Sequence, residues 1–479
     1  MNLRAALACL LLASSSPLAL AAEATPDGAK HLTDVFQSYL GKTPGVVSVM
    51  PSGDAYAVKL DVGPLISKIP QKDGKIEISP MNMKLTDQGG GKWLVEQDQP
   101  FNFNMDVPGA FQLAVKAEKM KGSGIYDEAL QAFISSTSDT SGLTMQQTVT
   151  EPGKPPGHVA YEIKTLHAEA TSVAGAAGVD VDSKYTASGI TETISIPPQE
   201  GMPPADVKIT ADSATQVTAG KGLLTKPMLD LLAWAVAHPD PEAMKANQAE
   251  LKPLLTAAMP IFTSLTGNAT VSNVNVATPI GPVSFAEIKA DVDMNGIVAE
   301  GLLREKLSFS GLQLPPGIVP PFATSITPKS FTIDAKVTDF NLEAPARMII
   351  DKMDLTKDKP LSPDLQQPLL QALLPKGTVT VTLGPSDITS DAAVLSADGS
   401  MTAGPMSPPM GSALVKLKGF DALMQAIQSA PPEMGLQQGV AMLIAAKGMA
   451  KPEGDLLTWK IESKLPAGVT INGIDPSKM

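Results

Sequence analysis

Asp291-Val292-Asp293-Met294-Asn295-Gly296 has the carboxylate spacing of the first half of a calcium loop. Such a loop closes on a bidentate Glu at its twelfth position, and here that position is Leu302. The same stretch alternates Ile288, Ala290, Val292 and Met294 with Lys289, Asp291, Asp293 and Asn295, the pattern of a half-buried strand. Asn295-Gly296 then predicts a two-residue hairpin turn, which sets Asp293 opposite Val298 and Asp291 opposite Glu300. Like charges facing across a ladder repel. Asp291, Asp293 and Glu300 are therefore a candidate surface site for a hard cation, against the plainer reading of a solvated carboxylate pair or a different register.

Other reactive residues are sparse. Met401, Met406 and Met410 share a Gly/Pro-rich stretch, and Met81 and Met83 sit close together. Thioethers suit Cu(I), but the remaining methionines are scattered as gap-fillers would be. The four histidines, His31, His158, His167 and His238, form no His-Glu-x-x-His pair. Their expected places are the first helix, a position beside a Pro-rich loop, a strand or edge, and a helix C-terminus, where a cationic ring suits the dipole. The chain holds no Gly-x-Ser-x-Gly elbow, no Ser-x-x-Lys and no phosphate-binding glycine loop. No catalytic residue and no cofactor is assigned.

The elements that must carry these residues begin after a leader. A basic start at Arg4, an apolar run from Ala5 to Ala13 and small residues up to Ala22 read as a signal peptide, residues 1–22, cleaved near Ala21 or Ala22. A chain cleaved there is periplasmic and loses Cys9, the sole cysteine, so it forms no disulfide or thiolate site. The formal net charge is −12, which argues against nucleic acid, whose affinity rests on basic contacts. No later stretch is apolar for the roughly 20 residues a spanning helix needs, so no transmembrane segment is expected in the mature chain. Aromatics are only 4% of residues, so the core is aliphatic and stacking platforms for sugars or bases are few.

A first helix should start at Thr25 with Pro26 in its first turn and end at Gly41. Period-2 runs follow at 56–62, 101–107, 331–337 and 379–383. Amphipathic stripes lie between them: Leu229 to Val236; Leu251 to Leu265, kinked at Pro260; Ala346 to Met353; Leu369 to Leu374; and Leu423 to Ile427. The expected fold class is α+β and β-dominated, with extended antiparallel sheets and short amphipathic helices packed on one face. A Pro-rich break near 196–204 suggests an N-terminal region, 23–195, and a C-terminal region, 205–479. Within the latter, a leucine helix, a strand, a turn and a second strand recur at 253–296 and 368–399, which reads as a duplicated unit.

That layout, together with the ending Leu457-Thr458-Trp459-Lys460-Ile461 and Val469-Thr470-Ile471-Asn472-Gly473, resembles the YdgA-like group of bacterial envelope proteins and related exported proteins of unknown function. The resemblance covers mainly residues 220–479 and implies architecture and compartment only. The leading functional expectation is a non-catalytic periplasmic protein of the cell envelope. Aliphatic stripes over a sheet also admit a lipid or amphiphile between helices and sheet, unless each stripe simply closes into core. The alternatives are an envelope scaffold that meets another envelope protein, and a hydrolase built on His158 or His167.

Overall fold

The computed structural model describes residues 23–476, apart from 69–73, 152, 199–203, 406, 432, 434 and 465–467. The expected leader and Met406 lie outside the described residues. Strand takes 53% of the described residues and helix 22%, which settles the class as β-dominated.

The first helix, α1 (Pro26–Leu40), forms where the sequence places it. The Thr25 hydroxyl accepts from Gly28 N at 3.1 Å, and Pro26 occupies a position whose amide would have no partner. Gly41, at φ 72°, ends the helix. Then come β1 (Val47–Ser52), β2 (Ala55–Leu60), the single turn α2 (Gly63–Ile66), β3 (Lys75–Ile78) and β4 (Met81–Gly89). Six long strands follow: β5 (Lys92–Val107), β6 (Phe111–Asp127), β7 (Ala132–Val149), β8 (Gly157–Ala174), β9 (Val179–Ile196) and β10 (Ala205–Leu223). Helices α3 (Thr225–Ala237), α4 (Pro241–Ala246) and α5 (Gln248–Ala257) lead into β11 (Ser264–Thr278), β12 (Gly281–Asn295), β13 (Leu302–Ser310) and β14 (Ser330–Thr338). After α6 (Glu343–Lys352) and α7 (Gln366–Leu373) the chain makes β15 (Val379–Thr389), β16 (Val394–Gly404) and β17 (Ser407–Lys418). It ends with α8 (Phe420–Gln428), α9 (Gln437–Met449), β18 (Lys451–Glu453), β19 (Leu456–Lys464) and β20 (Gly468–Ile471).

All the strands belong to one open sheet, and every pairing among the described residues is antiparallel. The order is a meander: β1, β2, β4, then β5 to β17 in sequence, then β19. β3 takes the far half of β5's outer edge beyond β4, while β18 and β20 take the two ends of β19's outer edge. β9 and β10 pair from Ile196–Ala205 onward, so the sheet runs unbroken across the expected boundary at 196–204. Helices α3 to α5 and α6 to α7 occupy connections at the same end of the strands, and α1, α3, α5, α6 and α7 touch in succession.

The register sorts side chains into two faces. Phe331, Ile333, Ala335 and Val337 of β14 stand opposite Phe309, Leu307, Glu305 and Leu303 of β13. Those continue to Ile288, Ala290, Val292 and Met294 of β12. The intervening residues on the same strands, Lys289, Asp291, Asp293, Arg304, Lys306, Asp334 and Lys336, fall on the other face. One face is thus mainly aliphatic and the other charged, as strict alternation requires.

A crease crosses the long strands without mixing the faces. Glu118, Gly142, Lys164, Gly189, Asp212, Asn273 and Ala286 stand in one row across β6 to β12. At that row the series of residues that faces the aliphatic side slips by one position on each strand. Leu113, Val115 and Ala117 give way to Met120, and Val159, Tyr161 and Ile163 give way to Leu166 and Ala168. Left-handed backbone at Gly142 (φ 59°), Gly189 (φ 62°) and Asn273 (φ 53°) absorbs the slip on alternate strands. Asn273 Nδ2 also donates to Asp212 Oδ2 across the row at 2.8 Å.

Two expectations need correction. The stripe from Leu251 to Leu265 is not one kinked helix: α5 ends at Ala257, Ile261 takes φ 72°, and Leu265 already belongs to β11. Asn295-Gly296 does not make a two-residue turn either, because β13 begins only at Leu302. Gly296 lies against the backbone of the segment before β11. A Cβ there would meet Phe262 O at 2.0 Å, and Ile297 N donates to Pro260 O at 3.0 Å. Asn295 meanwhile uses its side chain to hold the wider connection, bonding Glu300 O and accepting from Leu302 N at 2.8 Å.

Candidate functional site

This longer connection dissolves the candidate cation site. Asp291 faces Lys306 and Asp293 faces Arg304, not Glu300 and Val298. Asp291 also accepts from Asn268 Nδ2. Glu300 sits in the connection outside the strands, so the three carboxylates are not brought together. Their charge is balanced across the ladder by cations, which removes the repulsion that a bound ion would have relieved. Among the described residues, no group of three or more His, Cys, Asp or Glu side chains could hold a metal ion. Met401 and Met410 lie on adjacent strands but alternate faces, since Met401 pairs with Gly411 and Met410 with Thr402.

The charged face carries a pair that the sequence reading missed. Arg304 donates Nε and Nη2 to the two oxygens of Asp334 at 2.8 and 2.7 Å. The guanidinium holds the Asp334 carboxyl below its ordinary range. Asp334 is buried, its own amide donates to Ser386 Oγ at 3.1 Å, and Gly384 leaves room for it: a Cβ there would meet Asp334 Cγ at 2.9 Å. Only the β13–β14 register brings these two residues together, so no local pattern announces them.

His31, His167 and His238 occupy their expected elements, and His158 is the second residue of β8, just past the Pro-rich stretch. His31 Nε2 lies 3.0 Å from Glu128, which also accepts from Trp93 Nε1 at 2.7 Å. His158 Nδ1 lies 3.0 Å from Thr148 Oγ1, and His238 Nδ1 lies 2.8 Å from Trp234 O at the end of α3. His167 stands directly opposite Asp139, with Nδ1 2.7 Å from its carboxylate and Nε2 3.0 Å from Glu169. Asp139 first and Glu169 second raise the imidazole above its ordinary 6.5. The interaction is therefore whole below pH 6.5 and is lost as pH rises through the raised value. In an NMR titration His167 should titrate above 6.5, and Asp139→Asn should bring it down; a wild-type midpoint at or below 6.5 refutes the contact.

The opposite face holds the molecule's apolar openings. One rung runs Val271, Ile288, Phe309, Phe331, Ile388, Leu395, Leu417 and Leu457, each residue paired with the next across adjacent strands. A second runs Leu265, Met294, Leu303, Val337, Val381 and Met401. Leu303, Leu307, Ile333, Val381, Ile388, Leu395 and Met401 on this face are 37–44% exposed. Scattered exposed apolar residues need no explanation, but a contiguous field of them does.

At one end of this face, α1 sets Ala29, Leu32 and Phe36 against Tyr56, Val58, Leu85 and Trp93. An apolar cavity of about 290 Å³ opens there between Phe36, Tyr39, Met83, Phe133 and, from α3, Leu229 and Leu232. A further cavity of about 390 Å³ continues along the face past Val95, Gly122, Ala168 and Tyr185. At the other end α8 and α9 pack on Leu417 and Trp459, and the space beneath them is an almost wholly apolar cavity of about 450 Å³. Leu395, Val415, Phe420, Leu423, Leu443 and Ile461 line it. Trp459 Nε1 donates to Ala446 O at 2.7 Å and so ties α9 to β19.

The aliphatic stripes of Leu229–Val236 and Leu423–Ile427 were legible in the sequence as helices, but not which of them border open space. No family model matches the sequence, and neither a curated protein nor a solved structure matches it.

Proposed function

We propose that this chain is a non-catalytic protein of the bacterial envelope that holds the acyl chains of a lipid or amphiphile on the aliphatic face of its sheet. The observation that carries the reading is the apolar cavity under α8 and α9, which shares Ile388 and Leu395 with the half-exposed field of β13 to β16. Sites for apolar ligands are concave and largely apolar, in the size range of this cavity. The open positions are Leu, Ile, Val and Met, whereas protein interfaces concentrate their energy in Trp, Tyr and Arg. That composition favours flexible chains over a folded partner.

The reading takes residues 1–22 as a leader that directs the chain to the periplasm, and it retains the resemblance to the YdgA-like group. It also takes helices as sheltering one face of the sheet, and α5 with β11–β12 and α7 with β15–β16 as copies of one unit. No helix among the described residues is long and apolar enough to cross a membrane, so the ligand would be met at a surface. Native mass spectrometry of protein purified from a membrane extract should show an acyl-bearing adduct that delipidation removes. Protein that emerges at its bare mass from every such preparation ends the proposal. A scaffold reading has one observation of its own: among the described residues β1 pairs only with β2, so no strand lies along its other edge. Crosslinking in cells that traps a partner on residues 47–52, with no adduct by mass spectrometry, would favour it.

A further inference from the structure

Helix α9 is apolar nearly all the way round. Its inner side, Val440, Leu443, Ala446 and Met449, packs on the cluster of Leu417, Phe420, Met424 and Trp459. Its outer side presents Ala441, Met442, Ile444 and Ala445 to solvent, with Met442 74% and Ile444 57% exposed. The one charged residue between Gln437 and Met449 is Lys447. That lysine turns back to Asp421 at 2.8 Å and lies 4.7 Å from the centre of the Phe420 ring, so it does not guard the outer side. A helix hydrophobic on all sides belongs in a core or in lipid. This one is half in a core, and at 13 residues it is too short to span a bilayer.

We propose that α9 is a membrane-surface element: its outer side lies in the headgroup–acyl boundary of a bilayer while its inner side roofs the 450 Å³ cavity. The inference rests on the acyl-binding reading and adds the surface from which the ligand is taken. Leu443, Ala446 and Met449 line the cavity from the same helix whose other side is bare. The roof therefore has apolar contacts to make in either direction. A second copy or another protein is a poorer occupant, because the bare strip offers no aromatic or arginine anchor and is only a few side chains wide. The net charge of −12 points to an uncharged or zwitterionic surface over an anionic one.

The test is flotation of the full processed chain with vesicles of phosphatidylcholine and phosphatidylethanolamine, comparing wild type with M442D/I444D. Uptake of a soluble dodecyl-chain amphiphile is measured in parallel. Wild type should float, the variant should partition at least tenfold less, and both should take up the soluble amphiphile alike. Equal flotation of the two proteins overturns the proposal. So does a wild type that stays in solution while still binding the amphiphile, an outcome that leaves the acyl-binding reading standing. Failure of both measurements removes both readings. A wild-type dimer that the variant abolishes, without flotation, assigns the strip to a second copy instead. Should M442D/I444D not fold, Met442→Trp carries the same test: its emission should shift to the blue on adding vesicles, and an unmoved spectrum overturns the assignment.

Discussion

Trp459→Ala should lower the unfolding free energy by about 3–5 kcal/mol, the range for removing a buried aromatic ring from a packed core. Trp459 is 9% exposed and stands opposite Val415 in the β17–β19 ladder. It shares one cluster with Leu417, Phe420 and Met424. The cluster already borders a cavity of about 450 Å³, so the vacated volume joins an existing void instead of collapsing. The loss should therefore fall toward the upper end of that range. The indole also anchors α9 through Ala446 O. Trp459→Phe keeps much of the ring and loses that hydrogen bond, which is worth about 0.5–1.5 kcal/mol. Urea unfolding should show a lower midpoint at an unchanged slope for both, in that order. Hydrogen exchange should rise in 437–449 well before it rises in β6 to β10. A midpoint for Trp459→Ala equal to wild type would mean that α8 and α9 are held by something else.

What the sequence made legible was whatever depends on neighbours in the chain. Thr25 and Pro26 start a helix and Gly41 stops it, because capping is settled within one turn. Tyr56 to Leu60 and Phe331 to Val337 alternate, and both are strands with one apolar side. The long strands hid more. In β6 and β8 no single alternation fits both halves, because the apolar series slips at Glu118 and Lys164. Read without register, the slip looks like noise. The signal that could have exposed it is Gly142 and Gly189, isolated glycines inside strands.

Pairing was the harder part. Asn295-Gly296 has the chemistry of a tight hairpin, yet Gly296 is required because the Pro260–Phe262 backbone presses on it from a distant segment. That one contact moved Asp291 and Asp293 from opposite Glu300 and Val298 to opposite Lys306 and Arg304. A candidate cation site became a row of cross-strand charge pairs. The open aliphatic face had the same limit: each strand announced which of its residues were apolar, but only the full meander shows that they form one field and which helices leave it bare.

That field makes the second large prediction. Leu307 and Ile333 face each other across β13 and β14, 42% and 38% exposed. An acyl chain lying over them would remove much of that remaining exposure. Burying a whole Leu or Ile side chain is worth roughly 1.5–3 kcal/mol, so covering the exposed part is worth about 1 kcal/mol at each site. L307Q/I333Q should then weaken binding of a dodecyl-chain amphiphile by about 2 kcal/mol, roughly thirtyfold. The amide groups, left without partners beneath the chain, push the loss further in the same direction. The control lies one residue away. Ser308 and Thr332 face each other on the same two strands but on the charged face, so S308Q/T332Q should bind as wild type does. Comparable urea midpoints for the two variants would show that the difference is made at the surface and not by unfolding. If both pairs bind alike, the ligand does not lie on this face, and the alternation that built it serves the sheet alone.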